Sequence, residues 1–232
     1  MSELQQSLEF LVSRLVHDLK NPLAVILSNL RFLKESISGL DEGEALVESL
    51  LSADRLDRML DDAVDLGRMR RGTIVLASAP VLLRELEPAL LEKLELLAGT
   101  RKLELDLDQP RPLLTDRTLL LRLMINVIEH ALRQTPSRGT VRVQGASAPD
   151  GLTLRVVDGG APFAPDSTPS FLDDELPVKR SSTQGCRSDQ GLGLHFAGVA
   201  ARALGARTEL GPRPDGEHGV VFELVFPEEM LA

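Results

Sequence analysis

Two apolar stripes at helical spacing, parted by a short break, set the narrowest limit on what the first third of this chain can become. Leu8, Leu11, Val12, Leu15 and Leu19 recur at three- and four-residue steps, so residues 3 to 37 read as one long helix. Pro22 falls inside the pattern, where its nitrogen cannot donate to the preceding turn, and a local bend is expected there. Ser38, Gly39 and Asp41 interrupt the stripe. A second helix then carries Leu46, Leu50, Ala53, Leu56, Leu60 and Val64 on one face and ends near Gly67 to Gly72. Two long helices with a short connection fold back as an antiparallel hairpin. A lone hairpin leaves much of such a stripe in water, and pairing with a second copy into a four-helix bundle is the natural resolution.

From Gly72 the texture turns to mixed α and β. The spacing allows a short strand over Thr73 to Leu76 and a helix over Pro80 to Ala98. Leu103, Leu105 and Leu107 alternate with acidic residues at the strand period. An apolar helix follows from Leu119 to Arg133, then strands over Thr140 to Gln144 and Leu152 to Val157, parted by a Pro-Asp-Gly turn. Residues 161 to 190 are a long polar stretch of the kind that often serves as a lid. A helix from about Leu192 to Leu204 and a strand from Val220 to Phe226 complete the pattern.

Composition removes several functions. With 26 basic and 35 acidic side chains the formal charge is −9, which repels a phosphate backbone. No Trp or Tyr is present to stack on bases, so nucleic acid is not expected as a partner. Cys186 stands alone, which excludes an intrachain disulfide and a cysteine metal cluster. No apolar run reaches bilayer length and the start of the chain lacks a basic signal-peptide pattern, so the reading is a soluble cytoplasmic protein without a membrane span.

Chemistry concentrates in a few short segments. In His17-Asp18-Leu19-Lys20-Asn21-Pro22-Leu23, the helical repeat sets His17 roughly 180° from the centre of the leucine stripe, facing solvent or a docking partner. Asn21, four residues on, shares that face, and Asp18 flanks it. An imidazole beside a carboxylate can be fixed in one tautomer and made a better nucleophile. The segment resembles the H-box of two-component histidine kinases, which lies on the first helix of a dimeric hairpin. That resemblance implies that His17 accepts the γ-phosphoryl group of ATP, that Asp18 assists as general base, and that Asn21 orients water when a partner is dephosphorylated.

Further segments follow in the order of the same family. Leu119 to Pro136 resembles the N-box helix, with Asn126, Ala131, Thr135 and Pro136 in place and Arg133 at a basic position near the phosphates. The second Asn of that box, a Mg²⁺ ligand in the family, falls on His130, and an imidazole is a poor substitute for a hard oxygen donor. His130 could bond a phosphate, Asn126 and Glu129 could take the metal, or His130 could simply sit at the rim of the helix. Val156 to Pro162 resembles the first glycine box: Asp158 would accept from the adenine amino group and Gly160 would let the base approach. The last glycine of that box is Pro162. Gln190 to Leu194 resembles the second glycine box, in which Gly191 and Gly193 open a helix whose N–H groups would cradle phosphates, although Asp189 stands where a glycine is expected. Between the boxes, Phe171 is a candidate for the family's lid-anchoring residue, and Lys179 and Arg180 could reach phosphates. His195 and His218 lack partners at metal-ligand spacing and read as structural or surface residues.

The resemblance implies an α+β chain: residues 1–70 as a dimerisation and phosphotransfer hairpin, and residues 71–232 as a divergent ATP-binding α/β sandwich of the Hsp90-like class. It implies ATP and Mg²⁺ as cofactors, a homodimer, and a response regulator receiver domain as partner. The boxes take up nearly the whole chain, so input is expected from a separate sensor protein or from surfaces of its own. The alternative is a dimeric phosphotransfer or phosphatase module, or pseudokinase, whose nucleotide domain has decayed into a docking surface. A non-catalytic scaffold is the third reading.

Overall fold

The structure is a computed structural model that describes residues 18–19, 21–26, 28–29, 41–70, 72–148, 151–161, 192–213 and 215–232. They fall into two compact units, Met1–Gly67 and Arg68–Ala232.

In the first unit the described residues between 18 and 29 are helical and form α1, with Pro22 among them. Helix α2 runs over Asp41–Arg70, with Arg68 and Arg70 in its last turn. The Asn29 side-chain amide donates to Glu48 at 3.1 Å and ties the two helices together as a hairpin. α2 buries Met59, Asp62 and Leu66. The predicted stripe points elsewhere: Leu46, Leu60 and Val64 are 51%, 47% and 55% exposed within one chain. α2 therefore carries one line of contacts inside its own unit and a second apolar line that its own chain leaves in water. The stripe residues Leu8, Leu11, Val12 and Leu15 of the first helix lie outside the described residues.

The second unit places a five-stranded sheet under three helices. Its elements are β1 (Ser78–Val81), a 3-10 turn (Leu83–Leu86), α3 (Glu87–Ala98), β2 (Lys102–Asp106), β3 (Leu113–Asp116), α4 (Arg117–Gln134), β4 (Thr140–Ala148), β5 (Gly151–Val157), α5 (Leu192–Ala203), β6 (Arg207–Pro212), β7 (Val220–Pro227) and a 3-10 turn at Glu228–Met230. The sheet order is β2-β4-β5-β7-β6, with β1 and β3 forming a separate two-stranded sheet. β2 and β4 are parallel, Lys102 opposite Thr140 and Asp106 opposite Gln144, because the chain between them crosses over through α4. The remaining pairs are antiparallel.

Helix α4 is the centre of this unit. Asp116 caps it, its carboxylate accepting from the Leu119 amide at 2.9 Å and from the Ala77 amide at 2.8 Å. Leu119, Leu120, Leu123, Met124, Val127, Ile128, Ala131 and Leu132 then recur at helical spacing and are buried against the sheet and its neighbouring helices. On the sheet side Val141, Val143, Leu152, Leu154 and Phe226 meet them. The opposite sheet face is charged: Arg142 pairs with Glu104 across β2 and β4, and Arg155 with Glu223 across β5 and β7. Lys102 and Arg142 together hold the Glu104 carboxyl below the usual carboxylate range.

Three expectations need correction. Thr73 to Leu76 is not a strand; the first strand is Ser78–Val81, where Ser78 lies opposite Asp116 and Val81 opposite Leu113. Ile74 and Leu76 pack against the core while Val75 is exposed, and among the described residues no neighbouring strand pairs with this segment. The helix expected from Pro80 begins only at Glu87, with Pro88 in its first turn, because Pro80 belongs to β1. Strands β3 and β6 were not expected at all.

Candidate functional site

The site grows from the turn that leaves β5. The Asp158 amide donates to the Val220 carbonyl at 3.0 Å, extending the β5–β7 pairing by one step. One carboxylate oxygen, Oδ1, then accepts from the Gly160 amide at 2.9 Å and from the Val220 amide at 3.2 Å. Those two bonds fix Asp158, which is buried, at the strand end. Gly219 makes the approach of β7 possible: a side chain there would lie 2.0 Å from the Asp158 carbonyl oxygen, and its φ is +142°. The Arg213 side chain would also lie within 2.5 Å of a Cβ at Gly219, and it is held by Asp215 and Glu217. Its bond to Asp215 keeps that carboxyl below the usual range.

Thr135 joins α4 to the same turn. Its hydroxyl donates to the Ala131 carbonyl at 2.8 Å and accepts from the Gly159 amide at 3.2 Å, while Arg101 donates to its carbonyl at 2.6 Å. The end of α4 is thus locked to the loop bearing Asp158. Between them lies a cavity of about 10 Å³ whose lining includes Val127, His130, Asp158, Leu194, Leu210 and Phe222. That is room for about one water, so a purine enters only as the apolar lining gives way.

The α4 donors differ in what they can do. Asn126 gives its amide N–H to the Arg122 carbonyl at 3.0 Å, and its Oδ1 faces Gly193, where an added Cβ would lie 2.5 Å away. A side chain at Gly193 would therefore displace the Asn126 amide from its place between α4 and α5. Glu129 is buried and ion-paired with Arg133 one turn on, so that carboxylate and that guanidinium answer each other. His130 is buried and turned to the cavity. Among the described residues no group of three His, Cys, Asp or Glu side chains is arranged to hold a metal.

Asp158, Gly160, His130 and Gly193 thus gather around the α4–α5–sheet junction, and Arg133 follows on α4. In the first unit Asp18 is buried and Asn21 is exposed. His17, Gly191, Pro162, Asp189, Phe171, Lys179, Arg180 and Cys186 lie outside the described residues. His218 is exposed in the turn before β7. Sequence reasoning passed over Thr135 as a hydrogen-bonding clamp, and over Arg70, whose guanidinium meets the His195 ring at 3.0 Å. The Thr-Pro ending of α4 was a usable signal for the first. The second joins residues 125 apart and had none.

The phospho-acceptor domain family of histidine kinases, "His Kinase A", matches residues 7–72. The family described as "Histidine kinase-, DNA gyrase B-, and HSP90-like ATPase" matches residues 115–230, half of the chain. The chain belongs to the histidine kinases. The chain is 29% identical over 240 residues to the sensor protein KdpD of Mycobacterium tuberculosis (strain CDC 1551 / Oshkosh), covering 98% of this chain and 26% of that protein. It is 24% identical over 232 residues to KdpD of Escherichia coli K12, covering 98% of this chain and 25% of the relative. It thus spans about a quarter of the length of these curated relatives. The structure of the Acinetobacter baumannii histidine kinase AdeS shares the fold, with a TM-score of 0.63 at 17% identity over 91% of this chain and 98% of that one. The chain therefore joins a histidine kinase phospho-acceptor domain to a domain whose family implies ATP binding. Among the described residues no helix is long and apolar enough to cross a membrane.

Proposed function

We propose that this chain transfers the γ-phosphoryl group of ATP to His17 and then to an aspartate on the receiver domain of a response regulator, in the cytoplasm. The observation that carries this reading is the Asp158 turn. A buried carboxylate fixed by two backbone amides at a strand end, beside a cavity between α4, α5 and the sheet, is built to accept from a donor such as an exocyclic amine. It stands in a chain whose first unit carries an H-box.

ATP fits the donors that are present. Asp158 would take the adenine amino group, Gly160 would leave room for the ring, and the start of α5 at Gly193, with Gly191 before it, would face the phosphates. Bound Mg²⁺ usually takes one or two protein oxygens and completes its shell with substrate phosphates and water, offsetting their charge. The Asn126 amide oxygen fits that role, whereas the His130 ring, a nitrogen donor turned to an apolar cavity, does not. Arg133, 31% exposed and paired with Glu129, would reach phosphate by leaving that carboxylate.

In the first unit a ring nitrogen of His17 forms the new N–P bond as the bond from phosphorus to the ADP oxygen breaks. Asp18 takes the ring proton, and Asn21 orients water in the reverse task of dephosphorylating a partner. Positioning and charge neutralisation supply most of the acceleration in such transfers. The test is acid-labile, base-stable label on the purified chain after incubation with Mg²⁺ and γ-labelled ATP. No label on a folded protein would favour the phosphotransfer or phosphatase module with a non-binding ATPase domain.

The exposed line Leu46, Leu60 and Val64 supports a homodimer, since a second copy would cover it in a four-helix bundle. Leu60→Glu is expected to weaken dimerisation by at least about a hundredfold, because it would bury an unpaired charge at the seam. Sedimentation velocity checks this, and an unchanged dimer would place the interface elsewhere. His130→Asn is expected to tighten Mg²⁺-dependent ATP binding by about tenfold by adding an oxygen donor one turn from Asn126. Calorimetry with and without Mg²⁺ reads this, and equal affinities would show that the metal is held without position 130.

A further inference from the structure

We propose that Arg70 and His195 form a positioning pair for the nucleotide site: Arg70 holds the His195 ring with its proton on Nδ1 and so fixes the first turn of α5. The proposal rests on the nucleotide reading above and goes beyond it to residues that touch no nucleotide.

The chemistry follows from the donors. Arg70 Nη2 lies 3.0 Å from His195 Nε2. A guanidinium only donates, so Nε2 must accept and the neutral ring must carry its proton on Nδ1. The contact is part-buried: the His195 ring is only 4% exposed, while Arg70 reaches it from an exposed position.

Arg70 projects from an anchored base. Met69 packs against the core of the second unit, and the Thr73 amide and hydroxyl both donate to the Arg68 carbonyl, at 3.0 and 3.2 Å. On α5 the residues around His195 are the ones that shape the site. Gly193 lies against Asn126, Leu194 lines the cavity with Asp158, and the fully buried Phe196 ring carries the Arg122 guanidinium 4.9 Å from its centroid. α4 therefore holds this turn through Asn126 and Arg122, and the last turn of α2 holds it through Arg70. A shift of His195 would carry Gly193 and Leu194 with it, because they share one helical turn.

The decisive measurement is long-range proton–nitrogen NMR of the histidine rings in the full chain, with His195→Gln to assign the signal. The expected result is a His195 ring with Nε2 unprotonated at neutral pH, and a shift of that nitrogen towards the protonated position in Arg70→Ala. Nucleotide titrations then test the consequence. Arg70→Ala and His195→Leu are each expected to weaken ATP binding by about tenfold, the scale of a lost hydrogen bond to a charged group. His195→Gln, whose amide oxygen can still accept from Arg70, is expected to stay within about twofold of the wild type. A protonated Nε2 in the wild type would overturn the pair. So would ATP binding by Arg70→Ala and His195→Leu at wild-type strength. A wild-type chain that binds no ATP would instead bring down the nucleotide reading, and this role with it.

Discussion

His17→Ala is expected to take up no phosphoryl label from γ-labelled ATP, a loss of about 10⁴-fold or more, the scale seen when a reacting nucleophile is removed. The variant should still dimerise and still bind ATP, because in the helical repeat His17 lies away from the leucine stripe and in a different unit from Asp158. That combination separates loss of the acceptor from loss of the donor site. Label retained on His17→Ala, stable to base and labile to acid, would put the acceptor on another histidine. The chain has four, so His130, His195 and His218 would be the remaining candidates.

The second large effect is expected at Asp158. Asp158→Ala removes the acceptor for the Gly160 and Val220 amides together with the group assigned to the adenine amine. ATP affinity should fall by about a hundredfold, and stability by about 1–3 kcal/mol for the amides left unsatisfied. Asp158→Asn separates the two roles. Its side-chain oxygen can still accept from both amides, so thermal unfolding should stay near that of the wild type while ATP binding still drops by about tenfold or more. Equal ATP affinity for Asp158→Asn and the wild type, measured by calorimetry, would mean that the carboxylate serves the turn alone.

The features legible in the sequence were those written locally. Helix α4 was found within two residues at its start and one at its end, because its apolar residues recur at helical spacing over four turns. Asp158 and Gly193 were picked out by motif, and the structure shows Asp158 accepting from two backbone amides and Gly193 facing the Asn126 amide. What escaped was fixed by partners far along the chain. Ser78–Val81 has no alternating pattern and becomes a strand through pairing with Leu113–Asp116. Arg207–Pro212 is mostly polar and is a strand because β7 lies beside it. The stripe on α2 was legible as a face, yet the same periodicity could not tell a face covered by its own chain from one left exposed. The Arg70–His195 contact belongs with these, since neither residue carries a local signal.

The position of β7 has a bearing on how the protein is made. It lies between β5 and β6, not at an edge of the sheet, and it supplies the Val220 contacts that fix Asp158. A ribosome releases this strand after every other strand of the unit. Until then β5 and β6 each lack a neighbour, and their open edges are the kind of surface that pairs wrongly. The second unit should therefore reach its native form only once β7 has been made, and a premature stop before Val220 should leave a chain prone to aggregation rather than one with a merely weakened site.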